Sequence, residues 1–485
     1  MTGTLWSSAE TLVRQALSLT IFVMIARQVG AEAIGTVVLA MSLIAVFEAA
    51  VSDGAVERLV QRHEIEPLHL DSAFWAVTLL SLLLFAALVV GASAFASLFD
   101  AAQLAPVLQA LALYLPLSAL AAVPTARLKR DLRFRPFALR ALLSLGAGGG
   151  LGLWLAFQGE GVWALVAMHL TTAITSLLCM WIASGWHPRL RMSWRHLHDL
   201  AAYGAFSTGS RLVIIADQRI APIAIGLFLG VAEVGFFAMA RRVLELLTQL
   251  LLSPINQVAL PALSRFQSDA SRINALLRFL ERAIALTSFP AFLGLAAIAP
   301  LAVELVLGSD WMPMVPALQI LCLVGLPMAI EFNTPVLARA LGRPDLSLYL
   351  ALASFVAGLL LIPLAATESI TLVAAAILAR QLLLVWPLRI FLVRYLTGQG
   401  FVARYLSLAA IFGCAAAMAG AIVIGLAWIP VQASGLQLTA AAVATGILVF
   451  IVFLLLFARH TLISLAYEAR QRLGAAQTAS IGSGE

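Results

Sequence analysis

Long apolar runs recur along nearly the whole 485-residue chain, and short polar breaks separate them. Each run is about as long as the roughly 20 residues that a helix needs to cross a bilayer. The composition agrees, since 62% of the residues are apolar, 11% are charged and the mean hydropathy is +1.00. A water-soluble protein of this length would lack the polar residues needed to cover its surface. The sequence therefore predicts an all-α polytopic membrane protein.

The apolar runs predict fourteen transmembrane helices. Their expected limits are residues 8–28, 34–57, 73–98, 104–124, 137–157, 161–184, 203–229, 234–260, 280–307, 314–338, 345–366, 370–392, 404–428 and 437–458. An even number of spans places both termini on the same side of the membrane. Residues 268–282, between spans 8 and 9, have the pattern of an amphipathic helix that lies on the membrane surface.

The basic residues are distributed very unevenly between the two sets of loops. Twenty-three of the 30 Lys and Arg residues lie in or beside one set, and the alternate loops contain none. The alternate loops instead contain the acidic residues Glu32, Asp100, Glu160, Glu233, Asp310 and Glu368. Because basic loops stay on the cytoplasmic side of a membrane, the sequence predicts that both termini are cytoplasmic.

Two stretches recur in the same order along the chain. Residues 30–35 (Gly-Ala-Glu-Ala-Ile-Gly) resemble residues 230–235 (Gly-Val-Ala-Glu-Val-Gly), and residues 106–113 share five of eight positions with residues 316–323. They predict two six-helix repeats with a pseudo-twofold axis along the membrane normal, an arrangement that typically encloses a transport pathway. The predicted domains are an N-lobe at 1–200, a C-lobe at 201–400, spans 13 and 14 at 401–465, and a disordered cytoplasmic tail at 466–485.

Several ionisable residues fall well inside the predicted spans. Each costs about 2.5–3.5 kcal/mol at the bilayer centre on insertion scales, so most must face each other or a water-filled cavity. They are Glu48 in span 2; Arg211, Asp217 and Arg219 in span 7; Arg241, Arg242 and Glu245 in span 8; Glu331 in span 10; and Arg380 in span 12. Arg14 and Arg27 lie in span 1.

Ion pairs within one helix are an alternative explanation for some of these charged residues. Arg241 and Arg242 lie four and three residues before Glu245, so either can pair with it on one helix. Arg14 can pair with Glu10 in the same way. Arg27 can extend its guanidinium toward the outer surface.

Inside the second repeat, arginine outnumbers the acids by five to three. A cavity with surplus guanidinium suits an anion, and phosphate or diphosphate matches the arginine fork best. The predicted substrate-binding residues are Arg14, Arg27, Arg211, Arg219, Arg241, Arg242 and Arg380. Glu48, Asp217, Glu245 and Glu331 are candidate coupling or gating acids.

Nothing in the sequence indicates catalysis or a bound cofactor. The single lysine, Lys129, does not follow a glycine-rich loop of the kind that binds nucleotide phosphates. Cys179, Cys322 and Cys414 lie in apolar runs and predict no disulfide. The seven histidines show no metal-binding spacing. We therefore expect no catalytic residue, no metal, no cofactor and no nucleic-acid partner.

Other functions remain open at this point. A multidrug or cation antiporter predicts that acidic residues dominate the cavity. A membrane-embedded polysaccharide polymerase or ligase usually needs a long outward loop with catalytic residues, and every predicted outward loop is short. A scaffold without transport activity would not need charges inside its spans.

Several motifs, in order over residues 1–345, resemble those of the Wzx-type flippases. These flippases belong to the multidrug/oligosaccharidyl-lipid/polysaccharide superfamily, and the similarity is to the branch of colanic acid and related exopolysaccharide exporters. The matching stretches are residues 26–35, 59–62, 69–70, 73–75, 161–165, 189–194, 260–265, 289–295, 311–319 and 341–344.

The resemblance implies a flippase of the bacterial inner membrane that performs no covalent chemistry. Such proteins move an undecaprenyl-diphosphate-linked oligosaccharide to the periplasmic leaflet by alternating access. Membrane lipids, a polymerase and export machinery are the further partners that it implies. By the same resemblance, inward arginines of spans 1, 7 and 8 hold the diphosphate, and spans 13 and 14 help the polyprenyl tail slide beside the lobes.

Two acidic positions depart from the pattern of these flippases. The family often has an Asp directly before the Ile-Gly of span 7, whereas here Asp217 lies a turn earlier. The acid near the inner end of span 2 is shifted by one residue, to Asp53. The resemblance therefore does not extend to the exact positions of Asp217 and Asp53, the two acids to which it would assign coupling or gating roles.

Overall fold

The structure is a computed structural model that describes residues 2–51, 59–60, 65–264, 270–331, 334, 337–338, 343–397, 401–428 and 435–457. These residues contain helices and no strand, as the sequence predicts. In chain order, the helices are α1 (Thr2–Val51), α2 (Pro67–Leu98), α3 (Leu104–Ala112), α4 (Tyr114–Arg130), α5 (Arg135–Phe157), α6 (Val162–Ser184), α7 (Trp194–Phe228), α8 (Val231–Ser264), α9 (Ala270–Val306), α10 (Val315–Glu331), α11 (Pro344–Ala365), α12 (Ile370–Arg380), α13 (Trp386–Thr397), α14 (Phe401–Trp428) and α15 (Gly435–Phe457). A 3₁₀ turn, Ser309–Met314, precedes α10, and a π-helical turn, Gln381–Val385, joins α12 to α13.

Each of the fourteen predicted spans falls mainly on these helices. Spans 1 and 2 share α1, which is interrupted at Gly30, where φ is 77° and ψ is 176°. Only glycine adopts such a conformation readily, so this residue marks the turn between the two spans. The predicted surface helix at 268–282 is continuous with span 9 from Ala270 onward.

Eleven helical stretches among the described residues are long and apolar enough to cross a membrane. Helices α7 and α8 are not among them. These two helices carry the charges that the sequence places in spans 7 and 8, and those charges lower their hydropathy. These two helices carry four of the seven arginines predicted to bind substrate.

Large apolar side chains are exposed on many of the apolar helices. Val90 is 81% exposed, Ile182 82% and Leu364 71%. Apolar surfaces of this extent are not stable in water, whereas acyl chains surround them at no cost. The protein is a multi-pass membrane protein.

By its packing, the chain divides into two compact units. The first contains Met1–Met239 and Phe355–Val373, and the second contains Ala240–Ser354 and Ala374–Glu485. The predicted repeat boundaries at residues 200 and 400 stay predictions.

Glycines allow close helix packing in the first unit. Gly148 and Gly152 of α5 face Met168 and Thr172 of α6, and a Cβ at either glycine would overlap these neighbours. Small residues at such positions let helix backbones approach closely, which is how helices associate in lipid. The glycine-rich run of α5 thus explains why α5 and α6 pack along their lengths.

In the second unit, α9 packs against α10, α14 and α15. The buried ring of Phe292 on α9 fills the space beside Gly325 on α10. Met418, Ile422 and Ala442 of spans 13 and 14 form a cluster with apolar residues of α9. Spans 13 and 14 therefore pack on span 9.

Candidate functional site

Helix α7 carries three of the ionisable residues predicted to matter for transport. Arg211 is exposed, whereas Asp217 and Arg219 are half-buried. At 100° per residue, Arg211 and Arg219 lie within about 80° of each other around an ideal helix, and Asp217 lies roughly 160° from Arg219. Asp217 therefore lies on a different face of the helix from Arg219.

Helix α8 contains a local ion pair. The Nε atom of Arg241 lies 3.0 Å from Oε1 of Glu245, one helical turn later. The side chain of Arg241 is 30% exposed and that of Glu245 is 44% exposed, so the pair is not dry. Of the two local pairings that the sequence allows, the structure thus contains the one through Arg241. Arg242 is half-buried beside it.

Arg380 lies where span 12 departs from regular α-helix. Its Nη1 atom donates a hydrogen bond of 3.1 Å to the backbone oxygen of Ser354 on α11. The π-helical turn begins at the next residue, Gln381, which is buried. Such turns insert one residue into a helix and are frequent at functional sites. Here the turn rotates the rest of the span relative to Arg380.

Glu48, on the second half of α1, is half-buried and held from a neighbouring helix. Ser118 of α4 donates a 2.7 Å hydrogen bond to its Oε1 atom. Tyr114, one turn before Ser118, lies within electrostatic reach of both Glu48 and Arg140. The structure thus brings a carboxylate, a hydroxyl, a phenol and a guanidinium together inside the first unit.

The structure gives fewer details for the remaining predicted residues. Arg27 is exposed near the predicted outer end of span 1. Arg14 and Glu331 lie on described helices, but their side chains are outside the description, and Asp53 lies outside the described residues.

The two repeated turns on the predicted outer side contact each other. A Cβ on Gly35 would overlap the backbone oxygen of Val231, and a Cβ on Gly235 would overlap the backbone oxygen of Ala31. The two contacts are equivalent, because each joins residues that correspond in the repeat. Gly30 and Gly230, which open the two turns, both have positive φ angles, of 77° and 90°. These two turns are therefore alike in backbone conformation as well as in sequence.

Glu233 lies within the second of these turns. It is half-buried, and burial raises its pKa because a desolvated carboxylate is less stable than the neutral acid. Burial where the two turns meet thus disfavours the charged form of Glu233 relative to its state in water.

A second contact joins segments that are distant in sequence, on the predicted inner side. The buried Asp71 of α2 accepts a 3.0 Å hydrogen bond from the backbone nitrogen of Arg189, and the Trp75 indole donates a 2.8 Å bond to the Arg189 oxygen. Ser72 Oγ accepts a 3.0 Å bond from the backbone nitrogen of Ser193. The start of α2 thus holds the α6–α7 connection.

Sequence reasoning did not assign a role to Asp71 or Ser72. The available signal was that residues 69–70, 73–75 and 189–194, which flank or face these two positions, resemble flippase motifs. The structure shows that residues 69–75 contact residues 189–194.

A family model described as "Polysaccharide biosynthesis protein" matches residues 24–316, which is more than half of the chain. The chain belongs to this polysaccharide biosynthesis family. The matched region contains both outer turns, the contact between α2 and the α6–α7 connection, and the arginines of α7 and α8. Arg14, Glu331 and Arg380 lie outside it.

Three proteins with similar sequences are named for roles in polysaccharide biosynthesis. The succinoglycan biosynthesis transport protein ExoT of Rhizobium meliloti (strain 1021) is 27% identical over 301 residues, which is 62% of this chain and 60% of that protein. The teichuronic acid biosynthesis protein TuaB of Bacillus subtilis (strain 168) is 24% identical over 293 residues, 60% and 61% of the two chains. The lipopolysaccharide biosynthesis protein WzxC of Escherichia coli (strain K12) is 23% identical over 354 residues, 72% and 71%. The matches to ExoT and TuaB span about three fifths of those proteins.

Two solved structures have the same fold. The lipid II flippase MurJ in its inward closed conformation superposes with a TM-score of 0.76 at 15% identity, over 94% of this chain and 99% of MurJ. An inward-facing multidrug resistance transporter of the MATE family superposes with a TM-score of 0.60 at 16% identity, over 80% and 96%. These similarities confirm that this chain has the predicted all-α membrane fold.

Proposed function

We propose that this family member is a flippase for lipid-linked oligosaccharides. It moves an undecaprenyl-diphosphate-linked repeat unit from the cytoplasmic to the periplasmic leaflet of the bacterial inner membrane, for exopolysaccharide or lipopolysaccharide biosynthesis. The mechanism is alternating access without covalent chemistry. The names of ExoT, TuaB and WzxC support a role in polysaccharide assembly, and that of MurJ supports a lipid-linked substrate.

The observation that carries the proposal is the excess of arginine on α7 and α8. Between Arg211 and Glu245 the two helices hold four arginines, and Asp217 and Glu245 are the acids within the predicted spans. The ion pair between Arg241 and Glu245 consumes one charge of each sign, so the excess of positive charge is unchanged by it. A diphosphate carries several charged oxygens, and pairs of them accept parallel hydrogen bonds from the planar guanidinium group of arginine.

The lipid part of the substrate needs no enclosed site. A polyprenyl chain is as apolar as the bilayer, so it stays in lipid while the charged and sugar parts pass through the protein. Spans 13 and 14, which pack on α9, offer apolar surfaces along which such a chain can slide.

The contact between the two outer turns supports a state that is closed on the outer side. Gly35 and Gly235 permit their backbones to approach without side chains between them. Release of the substrate into the periplasmic leaflet requires the two turns to separate. We propose that this contact is the outer gate of the transport cycle.

An antiporter for drugs or cations is the competing proposal, because the MATE fold is shared. It requires an acidic binding site, and Glu48 with Ser118 is the best candidate for one. The two proposals differ in what Arg219 and Arg242 do, since a cation carrier needs neither guanidinium for binding.

The test is charge reversal at these two positions. Arg219→Glu and Arg242→Glu should each abolish polymer export in a deletion strain, and undecaprenyl-linked intermediates should accumulate, while protein level and membrane insertion stay normal. Arg133→Glu is the matched control, because Arg133 is exposed in the α4–α5 connection. Normal export from both reversed variants would remove these arginines from the mechanism.

Binding to purified protein gives an independent measurement. Undecaprenyl diphosphate should raise the melting temperature of the wild-type protein more than undecaprenyl monophosphate or phosphatidylglycerol does, and Arg219→Glu should lose this preference. Equal shifts with all three lipids in the wild-type protein would contradict recognition of the diphosphate.

A further inference from the structure

Two histidines and a glutamate, which are far apart in the sequence, converge where α2 and α7 begin. Glu66 directly precedes α2, His69 lies in the first turn of α2, and His196 lies in the first turn of α7. One potential ligand atom from each lies within 4.8 Å of the other two. Glu66 Oε2 and His196 Nε2 are 3.3 Å apart.

The imidazole of His196 is oriented by a neighbour on its other side. Its Nδ1 atom lies 2.7 Å from the hydroxyl oxygen of Ser193. When Nδ1 carries the proton and donates it to this hydroxyl, the lone pair of Nε2 points toward the carboxylate of Glu66. A hydrogen bond to the far nitrogen is the usual way in which proteins orient a metal-binding histidine.

His69 supplies a second lone pair. Its Nδ1 atom accepts a hydrogen bond of 3.2 Å from the backbone nitrogen of Glu66, so this nitrogen carries no proton. The ring is buried, and it meets the His196 ring edge to face with centroids 4.3 Å apart. The hydrogen bond to Nδ1 is one half of a capping box, in which the Glu66 side chain also accepts from the His69 backbone nitrogen, so a bound cation would compete with these hydrogen bonds.

The framework around the three side chains is already assembled. Ser193, which orients His196, is itself held by Ser72 of α2, and Arg189 is held by Asp71 and Trp75. The start of α7 is thus fixed against the start of α2 without help from the histidines. Glu66 is 70% exposed, which leaves the group open to solvent for the entry of an ion.

We propose that Glu66, His69 and His196 form a binding site for Zn²⁺. Two imidazole nitrogens and one carboxylate oxygen are a ligand set that zinc accepts, with a water molecule at the fourth position. Mg²⁺ and Ca²⁺ prefer sites made of oxygen ligands alone. Bound zinc would link the first turns of α2 and α7, so it would strengthen the attachment of span 7 to span 3. The site is independent of the proposed transport function.

The test is the metal content of the purified full-length protein, prepared without a polyhistidine tag. After incubation with Zn²⁺ and removal of free ion, the wild-type protein should retain about one zinc per chain. His196→Asn and Glu66→Gln should each weaken zinc binding by about tenfold or more. Both side chains lie on or near the surface, so these variants should fold. His198→Asn is the matched control, because His198 is exposed two residues further along the same helix.

A second measurement reports the ligands directly. Co²⁺ in place of zinc should give the visible absorption of a four-coordinate site in the wild-type and His198→Asn proteins, and His196→Asn should abolish it. Zinc should also raise the melting temperature of the wild-type protein but not that of His196→Asn. If the wild-type protein retains no zinc, or if His196→Asn and His198→Asn retain equal amounts, the three side chains form only a proton-bearing hydrogen-bonded group and the proposal is wrong.

Discussion

Gly35 lies so close to the backbone oxygen of Val231 that no Cβ fits between them. The equivalent contact joins Gly235 to Ala31, so the two turns of the repeat meet each other through the same pair of positions. The proposed alternating access requires such a contact to form and break, and this one involves few side chains.

Gly35→Ala should therefore impair transport. The added methyl group overlaps backbone atoms that cannot rotate away, and overpacking of this kind typically costs about 1–3 kcal/mol. We expect the outer contact to weaken about fivefold or more, with a corresponding fall in polymer export. The readout for closure is the labelling rate of a cysteine placed at Ala33, which should rise in the variant.

Gly150→Ala is the matched control for this substitution. Gly150 lies inside α5, and no described atom lies within 4 Å of a Cβ placed on it. Alanine should be neutral or slightly stabilising there, because it is the better helix former. Equal export by the two alanine variants would show that the close approach at Gly35 has no role in transport.

Exchange of the charges at Arg241 and Glu245 should separate pairing from substrate binding. The double variant R241E/E245R keeps an ion pair at the same spacing, and the order with the acid first is the more favourable one on a helix. We expect protein level and melting temperature to match those of the wild-type protein, while export is lost because the guanidinium has moved by one turn. Full export by the double variant would mean that Arg241 serves only to neutralise Glu245.

Removal of the Asp71 carboxylate should release the α6–α7 connection. In Asp71→Ala, the backbone nitrogen of Arg189 loses its acceptor, which costs about 1–3 kcal/mol. Arg189 and Arg191 are exposed trypsin sites. When trypsin cuts only the transiently detached connection, the cleavage rate is proportional to the detached fraction, so it should rise about fivefold or more. Asp71→Asn, which keeps an acceptor oxygen, should be cleaved at nearly the wild-type rate. If the alanine variant is equally resistant, the connection is held by other contacts.

The orientation predicted from the basic loops can be tested by cysteine labelling. Replacement of Cys179, Cys322 and Cys414 by alanine gives a background without thiols. A cysteine at Glu160 should react with an impermeant maleimide in intact spheroplasts, and a cysteine at Arg133 should react only after permeabilisation. The reverse labelling pattern would mean that Glu160 faces the cytoplasm and Arg133 the periplasm, and the predicted orientation would be wrong.

Much of the fold follows from local sequence. Eleven helical stretches among the described residues are apolar and long enough to cross a bilayer, and each turn of the repeat begins with a glycine that adopts a positive φ. These signals lie within a few residues of one another, so no knowledge of the tertiary structure is needed to read them. The interruption of span 12 by a π-helical turn was not predicted, because the residues Gln381–Val385 form an ordinary apolar helical sequence apart from the first.

For the candidate residues, the sequence indicated contacts within one helix but not contacts between helices. The sequence identified Arg241 and Glu245 as a potential pair because they lie one turn apart, and the structure contains that pair. The sequence also placed Glu48 inside a span, but Ser118 was not foreseen as its donor, since the two residues are 70 positions apart.

The sequence by itself determined that this chain is a bundle of membrane helices with surplus arginine in two of them, because hydropathy and charge are properties of each segment alone. Only the tertiary structure decided that Gly35 meets Val231, that Asp71 holds Arg189, and that His69 and His196 face each other beside Glu66. Each of these contacts joins residues more than a hundred positions apart. Which distant segments become neighbours depends on how whole helices pack, and apolar helix faces in lipid differ too little in sequence to reveal it.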